Sequence, residues 1–145
     1  MNSPIAIDAS FLVKLILPEE WADEAAFLWE SWVSEGRTLV APTLLPYEAA
    51  SAIRKQVQRA ALGTNVGEEA LSHLQRLLTM VILIPPDELH EVAWALAERY
   101  RRPNLYDAYH VALAASMGCE LWTSDARLQR TMPDERNIRV LGQEA

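Results

Sequence analysis

Five short apolar runs constrain this chain more than any other feature: PIAI at 4–7, TLVA at 38–41, VILI at 81–84, ELWT at 120–123 and IRVL at 138–141. Each has strand length, and longer stretches of helical spacing lie between them. Strands joined through helices pair in parallel by crossover connections, and parallel strands are buried on both faces. The expected fold is therefore α/β: a three-layer sandwich whose central parallel sheet of about five short strands carries helices on both faces. No repeat, low-complexity tract or linker interrupts the pattern. With 145 residues, half of them hydrophobic, one domain spanning 1–145 buries roughly two-thirds of its unfolded surface.

The intervening stretches predict a short helix near Phe11 to Leu15 and a longer one from about Glu19 to Ser34, after Pro18 and before Gly36. Further helices are expected from Thr43 to about Ala61, from Gly67 to Leu78, and from Pro85 and Pro86 to near Tyr100. The last long one is NLYDAYHVALAA at 104–115, with Asn104 as N-cap, Asp107 as the third helical residue and Gly118 closing it. Along Glu19 to Ser34, Trp21, Ala25, Leu28 and Trp32 share a stripe with Ala22, Ala26, Trp29 and Val33 beside it. That stripe is wider than one core contact requires, which leaves two readings: all core, or part of it receiving a partner chain.

The net charge of −7 argues against a nucleic-acid binder held on by a broadly basic surface. A nuclease remains open, because metal ions neutralise active-site carboxylates and a local basic rim can steer the substrate. Eleven of the thirteen cations are arginine, in groups at Arg54, Lys55 and Arg59, at Arg99, Arg101 and Arg102, and at Arg127 and Arg130. Arginine suits bidentate phosphate contacts. The single Cys119 reads as a buried structural thiol. The opening MNSPIAID has no basic stretch before a long apolar core, and no run is long enough to span a membrane. The expectation is a cytoplasmic protein.

Acids mark one edge of the expected sheet. In open parallel sheets, ligands sit beyond the carboxyl ends of the strands. Asp8 follows IAI directly, Asp125 follows LWT by two residues, and Asp107 opens the helix that leads into that fourth strand. Glu48 lies early in the helix after TLVA, with Leu44, Leu45 and Ala52 as its neighbours on the helix face. Each acid has a plain alternative. Asp107, Asp8 and Asp125 could simply cap helices, and Glu48 could be an ordinary helix glutamate. Two carboxylates about 6 Å apart repel by on the order of 3 kcal/mol at an effective dielectric near 20. A converging set therefore calls for a shared proton or a bound cation, and hard oxygen donors select Mg²⁺ or Mn²⁺.

The segments IAIDAS, PYEAASAIRK, LYDAYHVALAASMGCELWTSD and SDARL, in this order and spacing, resemble the PIN-domain family, in particular the VapC-type toxin ribonucleases of toxin–antitoxin pairs. The likeness covers nearly the whole chain. Its most specific part is the aspartate-led, alanine-rich helix running through a glycine into a strand ending TSD. It implies a metal-dependent endoribonuclease with Asp8, Glu48, Asp107 and Asp125 as catalytic and metal-binding acids, and Mg²⁺, with Mn²⁺ as an alternative, as cofactor. Ser10 and Thr123 match the family's small hydroxyl residues near the site and would orient the carboxylates. Ser51 stands where many relatives have asparagine. Arg54, Arg102 and Arg127 are the candidate RNA-phosphate contacts. His110, one turn after Asp107, is read as structural. The likeness also implies a VapB-like antitoxin that threads a hydrophobic groove, for which Trp21, Trp29 and Trp32 would be anchors, and a homodimer.

Rival chemistries leave different marks. A phosphoacceptor signalling domain would use a late lysine, and none follows Lys55. A haloacid-dehalogenase-like phosphatase would carry a second aspartate where Ser10 stands. A PIN-fold enzyme of housekeeping RNA processing and a catalytically silent binding module share every feature above, and only activity separates them.

Overall fold

The computed structural model describes residues 2–143. All five expected strands form: β1 (Ile5–Ile7), β2 (Leu39–Pro42), β3 (Val81–Ile84), β4 (Glu120–Thr123) and β5 (Ile138–Val140). Every pairing is parallel, in the order β3-β2-β1-β4-β5. The chain builds outward from β1 to β3, then crosses back to place β4 on the other side of β1. The order thus reverses between β1 and β4, which is where open sheets of this kind leave a crevice at their carboxyl edge.

The two faces follow from strand periodicity. Ile5, Ile7, Leu39, Ala41 and Val81 point into a core shared with α1 (Ala9–Ile16), α2 (Ala22–Ser34), α3 (Leu45–Arg59) and α4 (Thr64–Leu78). Ala6, Val40, Leu121, Ile138 and Val140 point the other way, against α5 (His90–Arg99), α6 (Tyr106–Met117) and Leu128 of α7 (Ala126–Thr131). Helices therefore cover both faces. Cys119 is buried in the second core, and burial pushes its thiol up, which keeps it protonated and unreactive.

Several helix boundaries differ from the expectation. The first helix already starts at Ala9, because Asp8 caps it through the Phe11 N–H. The fourth begins at Thr64 rather than Gly67, and the Pro85 to Tyr100 stretch divides into a single 3-10 turn, Pro86–Glu88, and α5. Asn104 is not the formal cap of α6. Leu105 occupies that place, so Asp107 is the second helical residue rather than the third. Asn104 still accepts a hydrogen bond from the Tyr106 N–H at 3.2 Å, while the Asp107 carboxylate is turned elsewhere.

The start of α2 is also shifted, from Glu19 to Ala22, and Trp21 precedes it in a left-handed conformation. The cause is a contact with the far end of the chain. The Trp21 ring lies over Gly142, which has φ +84°, and the Gly142 N–H donates to Glu24 at 2.8 Å. The expected tryptophan groove is corrected at this point. Trp29 and Trp32 are 8% and 5% exposed and belong to the first core, where Trp32 packs on Phe11 and Trp122. They are spent on the chain's own interior. Trp21, Phe27 and Val33, 44%, 69% and 41% exposed, are what this segment offers outward.

A Cβ on residue 142 would stand 2.5 Å from the Trp21 ring. Gly142→Ala is therefore expected to lower unfolding stability by about 1–3 kcal/mol in denaturant titration. In a Trp21→Ala background the loss shrinks to the part owed to backbone conformation.

Candidate active site

Asp8 leaves the end of β1, the central strand, at the point where strand order reverses. Its carboxylate is 8% exposed and is held from three directions. Oδ1 accepts from the Phe11 N–H at 3.0 Å and from Ser10 Oγ at 2.7 Å, and Oδ2 accepts from Thr123 Oγ1 at 2.5 Å. Ser10 and Thr123 approach each other at 3.0 Å. Each hydroxyl has one proton, and both protons point to the carboxylate, so this approach is a contact rather than a further bond. The same hydroxyls accept from the next loop: Ser10 Oγ from the Ser124 N–H at 2.9 Å, Thr123 Oγ1 from the Asp125 N–H at 3.0 Å. Asp8 is thereby tied to the segment that carries Asp125.

Burial raises the Asp8 carboxyl above its ordinary range. Nearby His110, the two hydroxyls and the Phe11 N–H act in the opposite direction but do not outweigh it. The pocket is thus unfavourable to the bare anion.

Asp125 caps α7, accepting from the Arg127 N–H at 2.9 Å. The Arg127 guanidinium folds back over it. Its Nη2 lies 3.2 Å from Asp125 Oδ2 and 3.7 Å from Asp107 Oδ2. One cation therefore stands between the second and third acids, and this, rather than capping, is where the Asp107 side chain points. Glu48, on the first turn of α3, meets His110 of α6: Nε2 and Oε1 are 2.6 Å apart. A carboxylate only accepts, so Nε2 carries the hydrogen. His110 is 3% exposed, and its Nδ1 is buried without a hydrogen-bond partner among the described residues.

Three of the four acids are linked in this way at one edge, and the fourth is tied to the helix that carries Asp107. Asp8 and Asp125 are joined through Thr123, Asp125 and Asp107 through Arg127, and Glu48 is hydrogen-bonded to His110 of the helix that Asp107 opens. His110 belongs to this network, a link the sequence reading did not give it. Its spacing of three from Asp107 on a buried helix face was the available sign. Arg54 of α3 and Arg102 before α6 are not part of the network.

Among the described residues, no group of three or more His, Cys, Asp and Glu side chains is disposed to hold a metal ion. The chemistry of the donor set nevertheless fits a hard divalent cation. It consists of carboxylate oxygens, one of them buried and disfavoured as a free anion, with two others already sharing the positive charge of Arg127. Asp8, Asp107 and Asp125 would hold such an ion, with Glu48 beside them.

Comparison with known proteins agrees with this fold. A family model described as PIN domain matches residues 5–132. Ribonuclease VapC3 of Pyrobaculum aerophilum is 30% identical over 129 residues, 89% of this chain and 95% of the relative. Ribonuclease VapC9 of Mycobacterium tuberculosis is 34% identical over 139 residues, 94% of this chain and 98% of the relative. Among solved structures, PAE2754 from P. aerophilum superposes with a TM-score of 0.65 at 27% identity, covering 90% of this chain and 80% of that one. VapC20 of M. tuberculosis, described as a sarcin-ricin loop cleaving toxin, shares the fold with a TM-score of 0.63 at 19% identity, covering 87% and 93%.

The Asp8 site makes a pH-dependent prediction. The folded state binds the Asp8 proton more tightly than the unfolded state, so stability falls as pH rises through the window above the ordinary value of 3.8. In chelator at neutral pH, Asp8→Asn is therefore expected to melt above the parent, with the difference closing below about pH 4. A difference independent of pH would show that ionisation of Asp8 is not its source. By family model, by relatives of near-equal length and by fold, the chain belongs to the PIN-domain family.

Proposed function

We propose that this chain is a metal-dependent endoribonuclease that hydrolyses RNA phosphodiester bonds at Asp8, Glu48, Asp107 and Asp125, as the toxin of a type II toxin–antitoxin pair. The observation that carries the reading is the linkage of Asp8, Asp125 and Asp107 at the switch point of the sheet, around a carboxylate that burial disfavours as an anion. Relatives named as ribonucleases, similar over nearly their whole length, support it. No helix among the described residues is long and apolar enough to cross a membrane.

Bound Mg²⁺, or Mn²⁺, would supply Lewis-acid polarisation of a phosphate oxygen and a water acidic enough to attack at neutral pH. The chain's own residues provide the rest. Ser10, Thr123 and the Phe11 N–H lock Asp8 in one rotamer, so its orientation requires no reordering when substrate arrives. His110 fixes Glu48 from behind. Arg127 is 55% exposed in its side chain, which leaves it free to turn from the two aspartates to a phosphate oxygen, a group it can grip in bidentate fashion. Arg54 would reach the phosphate backbone farther out.

The toxin role brings a VapB-like antitoxin, whose apolar segment would seat on exposed groups such as Trp21 and Phe27 and whose basic residue would neutralise the acids; a homodimer and a cytoplasmic setting accompany this role. The test is incubation of total cellular RNA with purified protein in Mg²⁺, Mn²⁺ or chelator. Discrete fragments are expected with metal only, and Asp8→Asn or Asp107→Asn should slow cleavage by about a hundredfold or more. Metal-independent cleavage, or equal cleavage by both variants, would refute the assignment.

A further inference from the structure

Between the end of α5 and the chain entering α6 lies a hollow of about 290 Å³, lined by Trp94, Glu98, Arg101, Arg102 and Leu105 among others. We infer that this hollow is a nucleotide subsite that takes one unpaired base and its phosphate from a single-stranded stretch of RNA flanking the cut. The inference rests on the nuclease reading above and names the form of RNA that reading leaves open.

The hollow is small for a ligand pocket, which suits one nucleotide and not a folded helix of RNA. Trp94 is 60% exposed, so one face of a large aromatic ring is open to solvent. Its Nε1 donates to Glu98 Oε1 at 3.2 Å across one helical turn, which holds the ring and occupies an acceptor of the acid that lines the same hollow. An exposed indole oriented by such a bond is a stacking platform for any base whose face is free. Bases inside a duplex have no free face, so the platform selects single strands.

The cations are placed beside it. Arg99 is paired with Asp134 at 3.0 Å, but neither Arg101 nor Arg102 pairs with a carboxylate among the described residues. In a chain of net charge −7, two guanidiniums without a carboxylate partner in one hollow, against the single Glu98 carboxylate there, are a local reversal of sign. Arg101 has φ +54° and ends α5 where glycine is the usual residue, with the Arg101 N–H reaching Glu98 O at 3.3 Å and the Arg102 N–H reaching Ala97 O at 2.8 Å.

Position completes the case. Leu105 lines the hollow and precedes Asp107 by two residues, a Cα separation of at most about 7 Å. Tyr106 stands between them and is 61% exposed. A strand seated on Trp94 and gripped by the arginines therefore continues over Tyr106 to Asp107, with the next phosphate at the acids.

The test is fluorescence anisotropy of a labelled, mixed-sequence single-stranded oligoribonucleotide, with Ca²⁺ in place of Mg²⁺ and the probe's length checked on a gel. Trp94→Ala is expected to weaken binding about tenfold, Trp94→Phe to keep it within about threefold, and a duplex of the same sequence to show no dependence on Trp94. Arg101→Ala and Arg102→Ala should each flatten the salt dependence of log K by about 0.7. Because Trp94 is exposed, melting temperatures of these variants should match the parent. Parent-like binding by Trp94→Ala overturns the subsite, and so does loss of self-association or peptide capture in that variant with RNA affinity unchanged. If the parent cuts RNA and Trp94→Ala binds as well as it does, only the subsite falls. If the parent neither binds nor cuts single-stranded RNA, the nuclease reading falls with it.

Discussion

The site depends on one buried carboxylate and the three groups that hold it. Asp8 stands at the end of the innermost strand, where sheet order reverses, and takes bonds from Ser10, Thr123 and the Phe11 N–H. Two of these donors are side chains that in turn accept from the loop after β4. Removing the Asp8 charge would relax the pocket electrostatically, but the loop that positions Asp125 is built around it. Stability and site geometry are therefore opposed at this residue, as is common where a protein maintains a charged site.

Negative charge at this edge is managed by different means at different acids. Asp8 is contained by burial and hydrogen bonds, Glu48 by His110, and the Asp107 and Asp125 pair by Arg127. Arg127 is the loosest of these partners, since its ion pairs are largely solvent-exposed and such pairs contribute roughly 1 kcal/mol or less. A divalent cation held there, as proposed, would compete for the same oxygens with twice the charge. On the proposed reading, the arginine that balances the pair would also be the group most easily released toward a phosphate.

Much of this was legible in the sequence, for reasons that can be named. PIAI, TLVA, VILI, ELWT and IRVL have strand length, and the helices between them dictate parallel pairing, so the address of Asp8, Glu48, Asp107 and Asp125 followed from topology alone. The roles of Ser10 and Thr123 toward Asp8 came with the family resemblance and reappear as short hydrogen bonds. What stayed illegible depends on three-dimensional neighbours. Trp29 and Trp32 share a helix with the exposed Phe27, and periodicity does not tell which side of a wide apolar stripe the core will claim. Asn104 has the right chemistry for a cap, yet the helix starts one residue later and Asp107 turns to Arg127, twenty positions away. His110 met Glu48 across 62 residues, a pairing no local pattern encodes.

Anomalous diffraction from crystals grown with Mn²⁺ tests the central claim most directly. The expected result is a manganese peak within ligating distance of carboxylate oxygens of Asp8 and at least one of Asp107 and Asp125, with the Arg127 guanidinium displaced from between them and the peak lost in Asp8→Asn. Manganese bound only elsewhere, with Arg127 still bridging Asp107 and Asp125, would contradict the assignment of these acids as a metal-dependent hydrolytic centre.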